Sequence, residues 1–155
     1  MDRIAILGSG SWATALAKII LTNVPSINWY IRKQEVIDTF KETGRNPHYL
    51  SNAIFDPERI NFFADINQVI AQSDILILEA NYDEIMLQTG PYPEKLKQRV
   101  AGDCGHLGNQ QTADILMKSS TDKLKYLFLC HLSQQNNKPE LALDAVKGTV
   151  PKHTL

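Results

Sequence analysis

The chain has 155 residues, 43% of them apolar and 21% charged, which is enough for one domain with a substantial core and short of what two would need. Its 16 basic and 17 acidic side chains leave a formal net charge of −1, which excludes a general electrostatic attraction to nucleic acid or to an anionic membrane. The two cysteines, Cys104 and Cys130, stand far apart with no C-x-x-C pair, and no apolar run approaches membrane-spanning length. They read as reduced thiols of a cytoplasmic protein without a signal peptide.

Residues 3–7 form a short apolar run that meets Gly8-Ser9-Gly10, after which Trp12, Ala13, Ala15, Leu16, Ile19 and Ile20 recur at spacings of three and four. That change of period marks strand, tight turn and helix. Asn23 and Pro25 end the helix, and residues 27–31 read as a second strand. Val36, Ile37 and Phe40 give a second helix its apolar face, closed by Gly44, and residues 46–57 are a polar, proline-punctuated loop. A third strand is predicted over 60–64, a short helix over 66–71 and a fully apolar fourth strand over 74–78. After Leu78 the character changes. Residues 81–92 carry the turn signal Gly90-Pro91-Tyr92-Pro93, residues 94–100 look helical and residues 103–109 form a loop. A helix over 110–117, a strand over 124–131 and a helix from Pro139 to Val146 complete the chain. Alternating strands and helices with short connections predict an α/β fold: a Rossmann-like three-layer sandwich, its sheet mostly parallel and helices on both faces.

Gly8-Ser9-Gly10-Ser11-Trp12-Ala13 fits G-x-G-x-x-A between a strand and a helix, the context in which that spacing is informative. Gly8 permits the tight turn, Gly10 lets a pyrophosphate approach the backbone, and Ala13 keeps the helix close to the strand. The helix N-terminus then offers N–H groups and the positive end of a dipole to phosphate. An acidic residue at the end of the second strand would select NAD. Arg32 and Lys33 stand there instead, with Glu35 further on, which favours NADP or tolerance of both. Lys33 taken alone reads equally well as part of a solvated charged turn.

Residues 4–15, Trp29-Tyr30-Ile31-Arg32, Asn46-Pro47-His48-Tyr49-Leu50-Ser51 and Ser73-Asp74-Ile75-Leu76-Ile77 together resemble the start of bacterial NAD(P)-dependent glycerol-3-phosphate dehydrogenase. The resemblance implies a sn-glycerol 3-phosphate/dihydroxyacetone phosphate oxidoreductase with NADP or NAD as cofactor, touched by Ser11, Trp12 and Arg32 beside the cofactor-binding candidates Gly8, Gly10 and Lys33 read from the loop and strand end. Near the end, Ala145-Val146-Lys147-Gly148-Thr149-Val150-Pro151 resembles that family's A-x-K-G segment, whose lysine contacts cofactor and substrate. By that likeness Lys147 is the one inherited catalytic candidate, though a surface Lys-Gly turn explains it equally. Such dehydrogenases carry a long helical substrate domain, so the sequence given is expected to be catalytically incomplete. Their fourth strand also leads into a small-residue loop against the cofactor, where this chain has Glu79-Ala80-Asn81-Tyr82-Asp83.

Residues 78–143 resemble a different family, the metallo-β-lactamase-fold hydrolases of the exonuclease-like type. Leu78-Glu79-Ala80-Asn81-Tyr82-Asp83-Glu84, Gly90-Pro91-Tyr92-Pro93, Leu96-Lys97-Gln98-Arg99, Gly105-His106-Leu107, Cys130-His131-Leu132-Ser133 and Asn136-Asn137-Lys138-Pro139 carry the likeness. Gly108 stands where that family's G-H-L-S-N pattern has serine. The resemblance implies two metals held by an H-x-H-x-D-H cluster, a further His, an Asp and a final His; only His131 matches a ligand, and His106 matches a histidine near the active site. With four histidines in all and no H-x-H-x-D-H, no metal is expected, and His106 and His131 remain weak candidates. Asp83, Glu84 and Asp103 read as surface and capping charges.

The chain therefore reads as one chimera-like α/β domain over 1–155. It has a dinucleotide-binding half over 1–78, a segment of hydrolase-like origin over 79–143 and a dehydrogenase-like tail over 144–155. Residues 74–78 would serve equally as the end of one parent or the start of the other. The expected partners are a small-molecule nucleotide and sn-glycerol 3-phosphate, with neither membrane nor nucleic acid. The alternatives are a metal-dependent hydrolase or nuclease fragment, and an inactive scaffold.

Overall fold

The computed structural model describes residues 2–103 and 105–154, so the expected thiol Cys104 lies outside the described residues. In chain order the elements are β1 (Ile4–Leu7), α1 (Ser11–Ile20), β2 (Ile27–Tyr30), α2 (Gln34–Thr43), a 3-10 turn (Pro57–Arg59), β3 (Ile60–Phe63), α3 (Ile66–Ala71) and β4 (Ile75–Glu79). They continue with α4 (Glu84–Thr89), α5 (Glu94–Ala101), α6 (Asn109–Ser119), β5 (Tyr126–Cys130) and α7 (Pro139–Val146). The five strands form one parallel sheet in the order β3-β2-β1-β4-β5. This is the expected α/β sandwich, and its strand order reverses between β1 and β4, where crevices for ligands open at the carboxyl ends of strands.

Alternation along β1 assigns the two faces. Ile6 joins Trp29, Val36, Ile37, Phe40 and Ile60 under α1 and α2, whereas Ala5 and Leu7 join Val69, Ile70, Leu76, Leu78 and Leu116 under α3 and α6. The first core is aromatic: Trp29, Phe40, Phe55 and Phe62 meet with ring centroids 5.2–6.2 Å apart. Helix α2 stops where predicted, at Gly44, whose φ of 65° lies in the left-handed region and whose missing side chain lets the Phe55 carbonyl approach. At the other end of the sheet, β5 leaves Phe128 56% exposed.

One helix was not named by the sequence reading. For the stretch over 81–92 the sequence reading named only a turn signal, and the structure adds α4 there, started by Asp83, whose Oδ1 accepts the Met86 N–H at 2.9 Å. Six residues show too little periodicity to announce a helix, and its only buried side chain, Leu87, packs with Tyr82 and Val100 in a small third cluster. No helix among the described residues is long and apolar enough to cross a membrane.

Phe40 is fully buried while Ile19 is 61% exposed. Urea titration should therefore show Phe40→Ala losing about 3–5 kcal/mol and Ile19→Ala losing less than about 0.5 kcal/mol.

Candidate functional site

The loop after β1 has its carbonyls turned inward. Trp29 Nε1 donates to the Gly8 carbonyl at 2.7 Å, Asn46 Nδ2 donates to that of Ser9 at 3.0 Å, and the Thr14 N–H and hydroxyl both donate to that of Gly10, at 3.0 and 2.9 Å. Asn46 is fully buried and has every polar atom engaged, since its Nδ2 also reaches Thr14 Oγ1 and its Oδ1 accepts from the N–H groups of His48 and Tyr49. The N–H groups of Ser11, Trp12 and Ala13 lie in the first turn of α1, where a helix supplies no acceptor of its own. Gly8 has φ +118°, a conformation that side chains strain to adopt, and a Cβ at Gly8 or Gly10 would meet nothing within 4 Å. The loop is thus a donor-lined, side-chain-free cradle at the carboxyl edge of the sheet. Its chemistry fits a dinucleotide pyrophosphate.

Arg32 and Lys33 follow β2 on the same edge. The Arg32 guanidinium donates to the Asp103 carbonyl at 3.1 Å, which ties the end of β2 to the segment after α5. Lys33 forms an exposed pair with Glu35 at 3.7 Å. Lys147 is placed elsewhere. It ends α7, which packs along α6, and the residues after it reach Ser120 and Leu124 ahead of β5, through Thr149 and Thr154. Those contacts set Lys147 at the amino edge, opposite the glycine loop, so the fold does not bring the inherited lysine to the cofactor cradle. Its side chain is exposed there.

Across the strand-order reversal from the cradle is an unanticipated cluster. Glu79 ends β4, His131 follows β5, and His106 lies in the loop before α6. One Glu79 oxygen, Oε1, lies 2.7 Å from His106 Nδ1 and 2.6 Å from His131 Nδ1, and the imidazoles meet edge to face with centroids 5.0 Å apart. His131 has φ 57°, a left-handed backbone that costs a residue with a side chain about 1–3 kcal/mol. Asn81 Nδ2 holds its carbonyl at 2.6 Å, and the His131 ring lies 5.6 Å from that of Trp12. Thr112 Oγ1 donates to the Glu79 carbonyl at 2.7 Å, and buried Asn109 and Asn137 exchange side-chain hydrogen bonds at 2.9–3.0 Å while Asn137 also holds the Ala80 carbonyl. The sequence singled out both histidines but not Glu79. The signal was the acidic residue itself, standing where the dehydrogenase resemblance implies a small one.

Of the remaining acids, Asp83 and Glu84 cap helices, whereas Asp103 contributes its backbone carbonyl to Arg32. Asp83 caps α4, and Glu84 accepts the Gln110 N–H in the first turn of α6 at 3.1 Å. A Cβ at Gly108 would lie 2.5 Å from Glu84 Oε1 and 2.8 Å from the Tyr82 ring, so a larger residue there would have to displace those side chains. Cys130 is a free thiol whose pKa burial, helped by the Glu79 charge, pushes up to about 11. Two surface clefts of about 300 and 310 Å³ are lined by neither the glycine loop nor the histidine cluster.

Residues 3–98 match the family described as "NAD-dependent glycerol-3-phosphate dehydrogenase N-terminus". That match runs past Leu78, through α4 and into α5. Glycerol-3-phosphate dehydrogenase [NAD(P)+] of Oceanobacillus iheyensis is 33% identical over 78 residues, covering 50% of this chain and 22% of that protein. Exodeoxyribonuclease WalJ of Streptococcus pneumoniae is 38% identical over 74 residues, covering 48% of this chain and 28% of that protein. Among solved structures, glycerol-3-phosphate dehydrogenase from Coxiella burnetii superposes over 96% of this chain and 38% of its own, with a TM-score of 0.60 and 18% identity. The matched part of the chain spans about a quarter of the length of these curated relatives.

Asn46→Ala removes four hydrogen bonds from a fully buried position and should cost about 1–3 kcal/mol in thermal or urea unfolding. Peptide-resolved thiol labelling should find Cys130 slow at pH 8 and accelerating as pH rises towards about 11, because only the thiolate reacts.

Proposed function

This chain belongs to the family of NAD-dependent glycerol-3-phosphate dehydrogenase N-terminal domains, whose cofactor is NAD or NADP, and from that premise we propose that it is a dinucleotide-binding module acting through the Gly8–Ala13 loop. The observation that carries the reading is the cradle: three carbonyls held inward, first-turn N–H groups left for phosphate, and open space at Gly8 and Gly10. Ser11 and Trp12 line its rim, and Arg32 and Lys33, beyond β2, favour the 2′-phosphate of NADP. A bound nicotinamide cofactor supplies or accepts hydride. The chain's own residues bind its phosphates and orient it across the reversal between β1 and β4. By the same family likeness the substrate pair is sn-glycerol 3-phosphate and dihydroxyacetone phosphate. Lys147, at the opposite edge, takes no part in this reading, and no group of this segment is assigned the proton transfer.

The exodeoxyribonuclease relatives support a second reading, in which a segment of hydrolase ancestry, assigned to residues 79–143 by its own motifs, is joined to the dinucleotide-binding half. In this arrangement residues 79–143 replace the next crossover of a single domain, and residues 144–155 close it. A hydrolase acting through two metals is the weaker functional reading, because the sequence has no H-x-H-x-D-H cluster.

Calorimetric titration of the purified protein should give saturable binding of NADPH, and about tenfold weaker binding of NADH. Gly10→Asp should abolish both without lowering the melting temperature, since its Cβ meets nothing while its carboxylate repels phosphate. Arg32→Ala should weaken NADPH about tenfold and leave NADH little changed, a difference of about 1.4 kcal/mol. No heat with either cofactor, from a cooperatively folded protein, would overturn the reading.

A further inference from the structure

Beyond the cofactor cradle, the best-organised chemistry in the molecule is the meeting of Glu79, His106 and His131. A carboxylate shared by two imidazoles needs no partner beyond hydrogen bonds, but three features suit this group to a different task. Its donor atoms come from three separate segments and lie within 4.8 Å of one another. The side chains remain 22–40% exposed, open enough for an ion to enter. The surrounding polar network fixes the backbone on either side of the cluster, through Asn81 on His131, Thr112 on Glu79 and the Asn109–Asn137 pair on Ala80.

We infer that Glu79, His106 and His131 form a mononuclear site for a zinc-class divalent cation beside the glycine loop. Two imidazoles and one carboxylate are the donor set of an open zinc site, with a fourth position left to solvent or substrate. Nitrogen donors favour zinc or cobalt over magnesium or calcium, which take oxygen. Donors about 2.0–2.1 Å from a tetrahedral zinc stand roughly 3.3 Å apart. The observed contacts are 2.7 and 2.6 Å, so the Glu79 carboxylate need withdraw from each ring by only about 0.6–0.7 Å, within the reach of its side-chain torsions. The site shares His131 with the ligand set the hydrolase resemblance implies, but Glu79 and His106 lie outside that set, and three donors from one carboxylate and two imidazoles suit one ion rather than two. It also stands apart from the cofactor reading, since no glycine-loop residue is a ligand; Trp12 against His131 is the contact between the two.

The test is titration of chelator-treated protein with zinc, followed by calorimetry, and with cobalt, followed by visible absorption. One equivalent of zinc should bind, and cobalt should develop the intense visible bands of a four-coordinate site. His106→Ala and Glu79→Gln should each weaken zinc at least tenfold, whereas His48→Ala and His153→Ala should leave it unchanged. The melting temperature of each variant without metal, compared with the parent, separates a lost ligand from a lost fold. NADPH titration of Glu79→Gln keeps the two readings apart, because its cofactor binding should survive. Absence of saturable zinc binding, or zinc binding undiminished in a folded His106→Ala, would overturn the site.

Discussion

The arrangement at the carboxyl edge of the sheet depends on which way three carbonyl groups face. A loop of Gly8-Ser9-Gly10 turned the other way would present oxygens to a phosphate and repel it. Trp29, Asn46 and Thr14 each donate to one of those oxygens and hold them against the interior, so that the first turn of α1 presents N–H groups at the carboxyl edge. These partners come from β2, from the loop after α2 and from α1 itself, so the loop is fixed only when that side of the sheet is assembled. The aromatic packing around Trp29 belongs to the same device, because the ring that fills the core also carries the indole N–H that positions Gly8.

The parallel sheet then decides what else can stand near the loop. All five strands end on one edge, and the reversal of strand order puts the ends of β4 and β5 beside the end of β1. That places Glu79 and His131 across from the cradle and Trp12 against His131, while the antiparallel return of α7 carries Lys147 to the far edge. His131, a weak metal candidate in the sequence, and Lys147, its one catalytic candidate, thus stand at opposite edges of the sheet. The polar loops that hold the carboxyl edge together satisfy one another through Asn81, Asn109 and Asn137, which is how so many buried amides are tolerated there.

Much of this was legible in the sequence where period and punctuation agree. The change from a continuous apolar run to helical spacing at Gly8, the left-handed stop at Gly44 and Pro139 at the first position of α7 located their elements closely. The short helix α4 was not legible, since six residues cannot display a period. Asn46 lay inside a recognised motif, but nothing in the sequence told that its amide reaches back to Ser9, 37 residues earlier. The Glu79 cluster stayed hidden for the same reason: its members are 27 and 52 residues apart and meet only because β4 and β5 are neighbours. The two histidines had been counted without the carboxylate that joins them.

The central claim is that the first-turn N–H groups of α1 receive the phosphates of a nicotinamide dinucleotide. Amide-resolved magnetic resonance of the labelled protein during NADPH addition addresses it most directly. The account predicts large shifts at the backbone amides of Gly10, Ser11, Trp12 and Ala13, with smaller ones at Arg32. Shifts confined to the clefts around Arg59 or Lys97, with the α1 amides unmoved at saturation, would contradict it.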